Sequence, residues 1–114
     1  RRLNAIVFLN KNWKPDWKGE LGLYDSKGQK CLKKISPLFN RLFVFDTHDY
    51  SFHGLPDPLN FPKNQPRRSI ILYYYTKSMR EKKYTKVIKP HSALWIKRGI
   101  KDKKGNKIRK IIKN

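Results

Sequence analysis

The chain has 114 residues, enough for one domain at most. Lys and Arg number 28 against 8 Asp and Glu, a formal net charge of +20, and Cys31 is the single cysteine. One cysteine excludes an internal disulfide and a thiolate zinc cage, and no apolar run approaches the roughly 18 residues of a membrane span. Arg1-Arg2 precedes LNAIVFLN, which is too short for a secretory signal core and closes on Asn10. The expected compartment is therefore reducing and cytoplasmic. The abrupt start in a strand-like segment, without Met, suggests a fragment.

The charge is uneven. Positions 77–114 hold 15 Lys and Arg against Glu81 and Asp102, a net +13, whereas positions 1–76 carry 13 basic and 6 acidic residues, a net +7. The expected organisation is a compact part at 1–77 and a basic tail at 78–114, partly docked or disordered. Such a tail attracts polyanions, whether nucleic acid, an acidic partner or an anionic membrane surface.

In chain order, Leu3–Asn10 is rich in β-formers and reads as a buried strand. Lys11–Lys18, with Trp13, Pro15 and Trp17, is a loop. Gly19–Asp25 is a second strand, closed by the turn Asp25-Ser26-Lys27-Gly28, and Lys30–Ser36 is a short strand or an extended connection before Pro37. Arg41–Thr47 is the clearest buried strand, and Ser51–Leu55 is a short one. Pro56, Pro58, Pro62 and Pro66 make the next segment a loop, and Arg67–Thr76 is a long strand ending in three tyrosines.

In the tail, Ser92–Ile96 is an apolar island. Ile108, Ile111 and Ile112 are spaced to line one face of a short basic helix, although a solvated, disordered tail is the simpler reading. Many short strands at near-regular spacing, with no convincing helix, point to an all-β antiparallel sandwich or jelly roll. Five or six strands do not close an eight-stranded one, and the missing strands would precede Arg1.

Two residues in this pattern carry chemistry. His53 opens a short strand, and a neutral imidazole nitrogen suits a metal; Arg67 opens the next, and its planar fork suits a carboxylate. Held on neighbouring strands, they could grip opposite ends of a small dicarboxylic acid bound to iron. Alternation would turn Arg67, Ser69, Ile71 and Tyr73 to one face and Arg68 to the other, and a one-residue slip would exchange the two arginines. His48 and His91 read as structural, Tyr73–Tyr75 as packing residues and Cys31 as a small packed hydrophobe. Trp13 and Trp17 either anchor their loop or border a substrate groove.

The runs LNAIVFLNKNW, GELGLYD, ISPLFNRLFVFDT, SFHGLP and PRRSIILYYYT, in that order, resemble the C-terminal two-thirds of the prolyl 4-hydroxylase-like 2-oxoglutarate/Fe(II) dioxygenases. HSALWIKR, His91–Arg98, is similar to a tail of some bacterial and viral-type members. The resemblance implies a double-stranded β-helix, here an incomplete one lacking its N-terminal strands. It implies an enzyme using Fe(II), 2-oxoglutarate and O2, with ascorbate as an accessory, to hydroxylate a prolyl residue or a related C–H substrate.

In that family a His-x-Asp/Glu pair and a distal His form the two-histidine, one-carboxylate face. The resemblance places the distal ligand on His53 and the 2-oxoglutarate anchor on Arg67, with Arg68 as the alternative. Two departures stand out. No His-x-Asp/Glu occurs in the chain, so by itself it should bind iron poorly and turn over little. Phe8 stands where related enzymes often have a Tyr whose hydroxyl contacts the far carboxylate, and Asn4 would face the same lumen. A second function class is a non-catalytic β-helix module whose basic tail binds nucleic acid or another polyanion, through clusters such as Lys82-Lys83-Tyr84 and Trp95-Ile96-Lys97-Arg98.

Overall fold

The computed structural model describes residues 1–78 and 80–86, together with the backbone of two strands at 95–101 and 107–113. The strands are β1 (Leu3–Phe8), β2 (Leu21–Tyr24), β3 (Cys31–Ile35), β4 (Arg41–Asp46), β5 (His53–Gly54), β6 (Ser69–Tyr74), β7 (Trp95–Lys101) and β8 (Lys107–Lys113). Single 3-10 turns at Pro15–Trp17 and Lys82–Tyr84 are the helical elements among the described residues. Two sheets form, in the orders β4-β1-β6 and β3-β2-β5-β8-β7, with every strand pair antiparallel.

Alternation along β1 builds the core. Asn4, Ile6 and Phe8 share one face, and Ile6 and Phe8 pack with Leu21 and Ile35 of the other sheet. Phe43 and Phe45 of β4 lie against the same cluster. Residues of both sheets thus meet in one apolar layer, as in a partial β-sandwich. Phe8 is 0% exposed, and full burial of a side chain of this size stabilises by about 1.5–3 kcal/mol. The register sets Asn4 opposite Phe45 on one side and Tyr73 on the other, and Phe8 opposite Arg41 and Ser69.

Arg41–Thr47, expected to be buried, is instead an edge strand that covers the core with alternate residues only. Phe43 and Phe45 point inward, while Leu42 and Val44 are 60% and 48% exposed. On β6 every residue from Ile70 to Tyr74 is exposed, Ile71 and Tyr73 included, so the face expected to turn inward from Ser69 is not buried. The run LFVF, Leu42–Phe45, is apolar at every position, so its sequence does not reveal that one face is open.

On the other side of the second sheet, Tyr24, Phe52 and Cys31 form a smaller cluster. The β2–β3 turn closes as its residues require: the Asp25 carboxylate accepts from the amides of Gln29 and Lys30 at 2.8 and 3.2 Å, and Gly28 takes φ 68°. These amide donors hold the exposed Asp25 carboxyl below its ordinary range.

Beyond β6 the chain folds back on the β4–β5 connection. Arg80 is ion-paired with Asp46 and donates to the Arg2 carbonyl at 2.8 Å. Lys86 N–H donates to Asp49 Oδ2 at 2.6 Å, and Asp49 N–H donates to the Tyr84 carbonyl at 3.2 Å. Residues 107–113, read from the sequence as a solvated, disordered tail or a short basic helix, form strand β8, which pairs with β7 from Trp95↔Lys113 to Lys101↔Lys107 and meets β5 at His53↔Lys113. A helix of this length is marginal alone, and β-branched isoleucines favour a paired strand. His91 and the Ser92–Leu94 part of the apolar island lie outside the described residues.

Candidate anion and metal-ligand site

His53 reaches the interior because β5 alternates: Phe52 joins the outer cluster, and the next side chain turns inward. The strand is held by backbone pairing of His53 with Leu23 and of Gly54 with Gly22. The imidazole is 9% exposed and lies edge-on to Phe45, with ring centres 4.7 Å apart. Its position is therefore one face of the apolar layer between the sheets.

Arg67 borders the same layer from another side. It precedes β6 by two residues rather than opening the strand. The reason lies in Asn10, 5% exposed, whose Oδ1 accepts from Arg68 N–H at 2.6 Å while its amide donates to the Pro37 carbonyl at 2.7 Å. A side chain replaces the regular ladder here. Arg68 itself is exposed and Arg67 half-buried.

The Arg67 guanidinium carbon lies 5.3 Å from the centre of the Phe8 ring. Its Nε donates to the Gly19 carbonyl at 2.7 Å, and burial lowers its pKa from the ordinary arginine value. Arginine stays protonated regardless. Among the described residues Arg67 has no carboxylate partner. With Nε occupied by a backbone carbonyl, the two terminal nitrogens form the part of the fork suited to a bidentate carboxylate.

The remaining expectations resolve as follows. Asn4 shares the inward face of β1 with Phe8 and is 3% exposed, but four residues separate them, about 13 Å along a strand. Asn4 thus lies at the Phe45 end, away from Arg67, and does not replace a hydroxyl at position 8. Its Oδ1 has no hydrogen-bond partner among the described residues. His48 is structural: its Nδ1 accepts from Tyr50 N–H at 3.2 Å. Cys31 is partly buried against Tyr24 and Phe52. Trp13 is a loop anchor, 7% exposed, donating to the Lys18 carbonyl at 2.8 Å and packed edge-on to Trp17. Tyr73, Tyr74 and Tyr75 are 41%, 52% and 66% exposed, and the Arg1 guanidinium covers the Tyr73 ring.

Two residues that the sequence did not single out support the site: Gly19, whose carbonyl holds Arg67, and Asn10, which holds the Arg68 backbone. A glycine directly after the loop of Trp13 and Trp17 was the available signal for the first.

A metal fits less completely. No group of three or more His, Cys, Asp or Glu capable of holding an ion occurs among the described residues, and a facial iron site takes three protein ligands. His53 supplies one. No helix among the described residues is long and apolar enough to cross a membrane.

The structure thus sets an inward histidine and a half-buried arginine, without a carboxylate partner among the described residues, at the borders of one apolar layer. Sequence comparison gives the class of protein. The profile of the family described as the 2OG-Fe(II) oxygenase superfamily matches residues 1–75. A mouse (Mus musculus) protein named prolyl 3-hydroxylase OGFOD1 is 30% identical over 83 residues, covering 69% of this chain and 15% of that protein. The chain therefore spans about 15% of the length of this relative. No solved structure matches the chain significantly. The chain belongs to the 2OG-Fe(II) oxygenase superfamily, a family of oxidoreductases that in general use Fe(II), 2-oxoglutarate and O2.

Proposed function

We propose that this chain is the cosubstrate-anchoring part of a dioxygenase that hydroxylates a prolyl residue or a related C–H substrate. In this reading residues 1–77 are the C-terminal portion of a double-stranded β-helix, and residues 78–114 are an appended basic segment. Arg67 binds the far carboxylate of 2-oxoglutarate, and His53 is one ligand of Fe(II). The other two ligands come from outside the described residues, so the chain alone is expected to turn over little. Bound iron would supply the oxygen chemistry. The protein's own contribution is to fix the cosubstrate's orientation and keep the lumen dry.

The observation that carries the reading is the state of Arg67. A half-buried guanidinium, lowered in pKa by desolvation and lacking an acidic partner among the described residues, is unfavourable unless an anion completes it. An elongated dicarboxylate is the matching shape, because His53 marks a metal-binding position on the same layer. The prolyl substrate is supported by the name of the mouse relative alone.

The test is 2-oxoglutarate affinity and turnover in the full-length protein carrying His53→Ala, Arg67→Ala or Arg68→Ala. His53→Ala should abolish iron-dependent 2-oxoglutarate decarboxylation. Arg67→Ala should weaken 2-oxoglutarate binding by about 2–5 kcal/mol, the usual penalty for removing one partner of a buried charge pair. If Arg68→Ala weakens binding and Arg67→Ala does not, the anchor is Arg68 and the assignment made here is wrong.

A further inference from the structure

We infer that Trp13 and Gly19 are positioning residues that aim the Arg67 fork at the cosubstrate carboxylate, a role that rests on the anchor function proposed for Arg67. The geometry is specific. The loop before β2 turns through two consecutive residues at positive φ, Lys18 at 59° and Gly19 at 87°. This twist sends the Lys18 carbonyl to the indole N–H of Trp13 at 2.8 Å. It sends the Gly19 carbonyl to Nε of Arg67 at 2.7 Å. Consecutive carbonyls are thus spent on the tryptophan and on the arginine.

Gly19 is required twice over. Its φ disfavours any side chain. A Cβ there would also lie 3.1 Å from Arg67 Cδ, 3.2 Å from Arg67 Nε and 3.2 Å from Trp13 Cζ2. The arginine stem and the Trp13 indole therefore both crowd the Cα of Gly19, which leaves no room for a side chain. The Phe8 ring, 5.3 Å from the guanidinium carbon, stands on the cation's other contact surface.

A side chain with four rotatable bonds is fixed at its Nε by this arrangement, leaving its terminal nitrogens oriented before a ligand arrives. Preorganisation of this kind adds affinity by removing the ordering entropy from the binding step. Lys18 ψ is −151°, a backbone region that non-glycine residues rarely occupy. A strained turn at this point is understandable if it serves to present the two carbonyls.

The experiment measures 2-oxoglutarate dissociation constants calorimetrically in the full-length protein. Gly19→Ala should raise the constant by about tenfold or more, and Trp13→Phe, which keeps the ring but deletes the N–H donor, by a few-fold. Neither should weaken binding further when Arg67→Ala is already present, because each acts through that side chain. If Gly19→Ala melts below the assay temperature, Trp13→Phe decides alone. Constants within twofold of wild type for the folded variants, in a protein that Arg67→Ala impairs, would overturn the positioning role. Equal losses with and without Arg67 would overturn it too, by showing general disruption. An Arg67→Ala protein that binds normally would instead sink the anchor reading beneath it.

Discussion

The guanidinium of Arg67 lies over Phe8, the most deeply buried aromatic residue of the core. This one relationship joins the stability of the sandwich to the geometry of the anion site. Charge is brought to the edge of an apolar layer, held by a backbone carbonyl, and left without an internal acid among the described residues. Because the core and the site share Phe8, changes there should be felt in both.

Phe8→Ala is expected to destabilise the folded protein by about 3–5 kcal/mol, the range for deleting a large aromatic side chain from a packed core. Denaturant unfolding of the full-length protein measures this directly. A loss below about 1 kcal/mol would mean that the layer collapses around the cavity and that Phe8 does not support Arg67.

Arg67→Lys separates charge from geometry. The ammonium retains a positive charge but not the planar pair of donors, and it has no equivalent of Nε for the Gly19 carbonyl. Affinity for 2-oxoglutarate should fall by about 1–2 kcal/mol, between wild type and Arg67→Ala. Recovery of wild-type affinity in the lysine variant would show that charge alone is sufficient.

Asn10 offers a test of how the arginine pair is held. Its hydrogen bond to the Pro37 carbonyl is buried, and the one it accepts from Arg68 N–H is partly buried. Asn10→Ala strands both partners and should destabilise by about 2–3 kcal/mol. Hydrogen exchange at Arg68 should speed up more than at Ile6 in the centre of β1. Uniform acceleration would argue that Asn10 acts on the whole sheet.

The clasp between Arg80 and Asp46 should be pH-dependent. Hydrogen bonding from Arg80, followed by its charge, holds the Asp46 carboxyl below the ordinary range. A folded pKa below the unfolded value of about 3.9 means that the contribution is complete above that value. It is lost as the pH falls through the folded pKa. With the carboxylate side chain 50% exposed, solvent screening limits the effect to about 0.2–1 kcal/mol. Asp46→Asn should therefore lower the melting temperature at neutral pH and converge with wild type in acid. Parallel curves across the acid range would remove Asp46 from the account.

Relief of strain gives a last prediction. Lys18→Gly permits the same φ 59°, ψ −151° conformation without a Cβ. A strained backbone of this type costs about 1–3 kcal/mol, against about 0.5–1 kcal/mol for the added freedom of glycine in the unfolded chain. The variant should be equally or modestly more stable by thermal unfolding. A clear drop would indicate that the lysine side chain has contacts that outweigh the strain.

The local signals in this chain were legible because they are short-range. Runs rich in β-formers, Asp25–Gly28 at a turn and four prolines after Leu55 marked the strands and loops of positions 1–76 to within a few residues. LFVF misled, since an all-apolar run reads as buried although strand order decides which face is covered. The basic stretch after Lys107 read as a solvated tail or a short helix, and pairing with β7 makes it a strand.

By itself, then, the sequence determined an all-β chain, its strand segments up to Thr76, its charge and which side chains carry imidazole and guanidinium chemistry. Strand order, the shared layer that brings His53 and Arg67 onto one interior, and the cradle of Trp13 and Gly19 were decided only by the tertiary structure. The physical reason is sequence separation. Arg67 meets Gly19 across 48 positions, a contact that exists only after both sheets have closed.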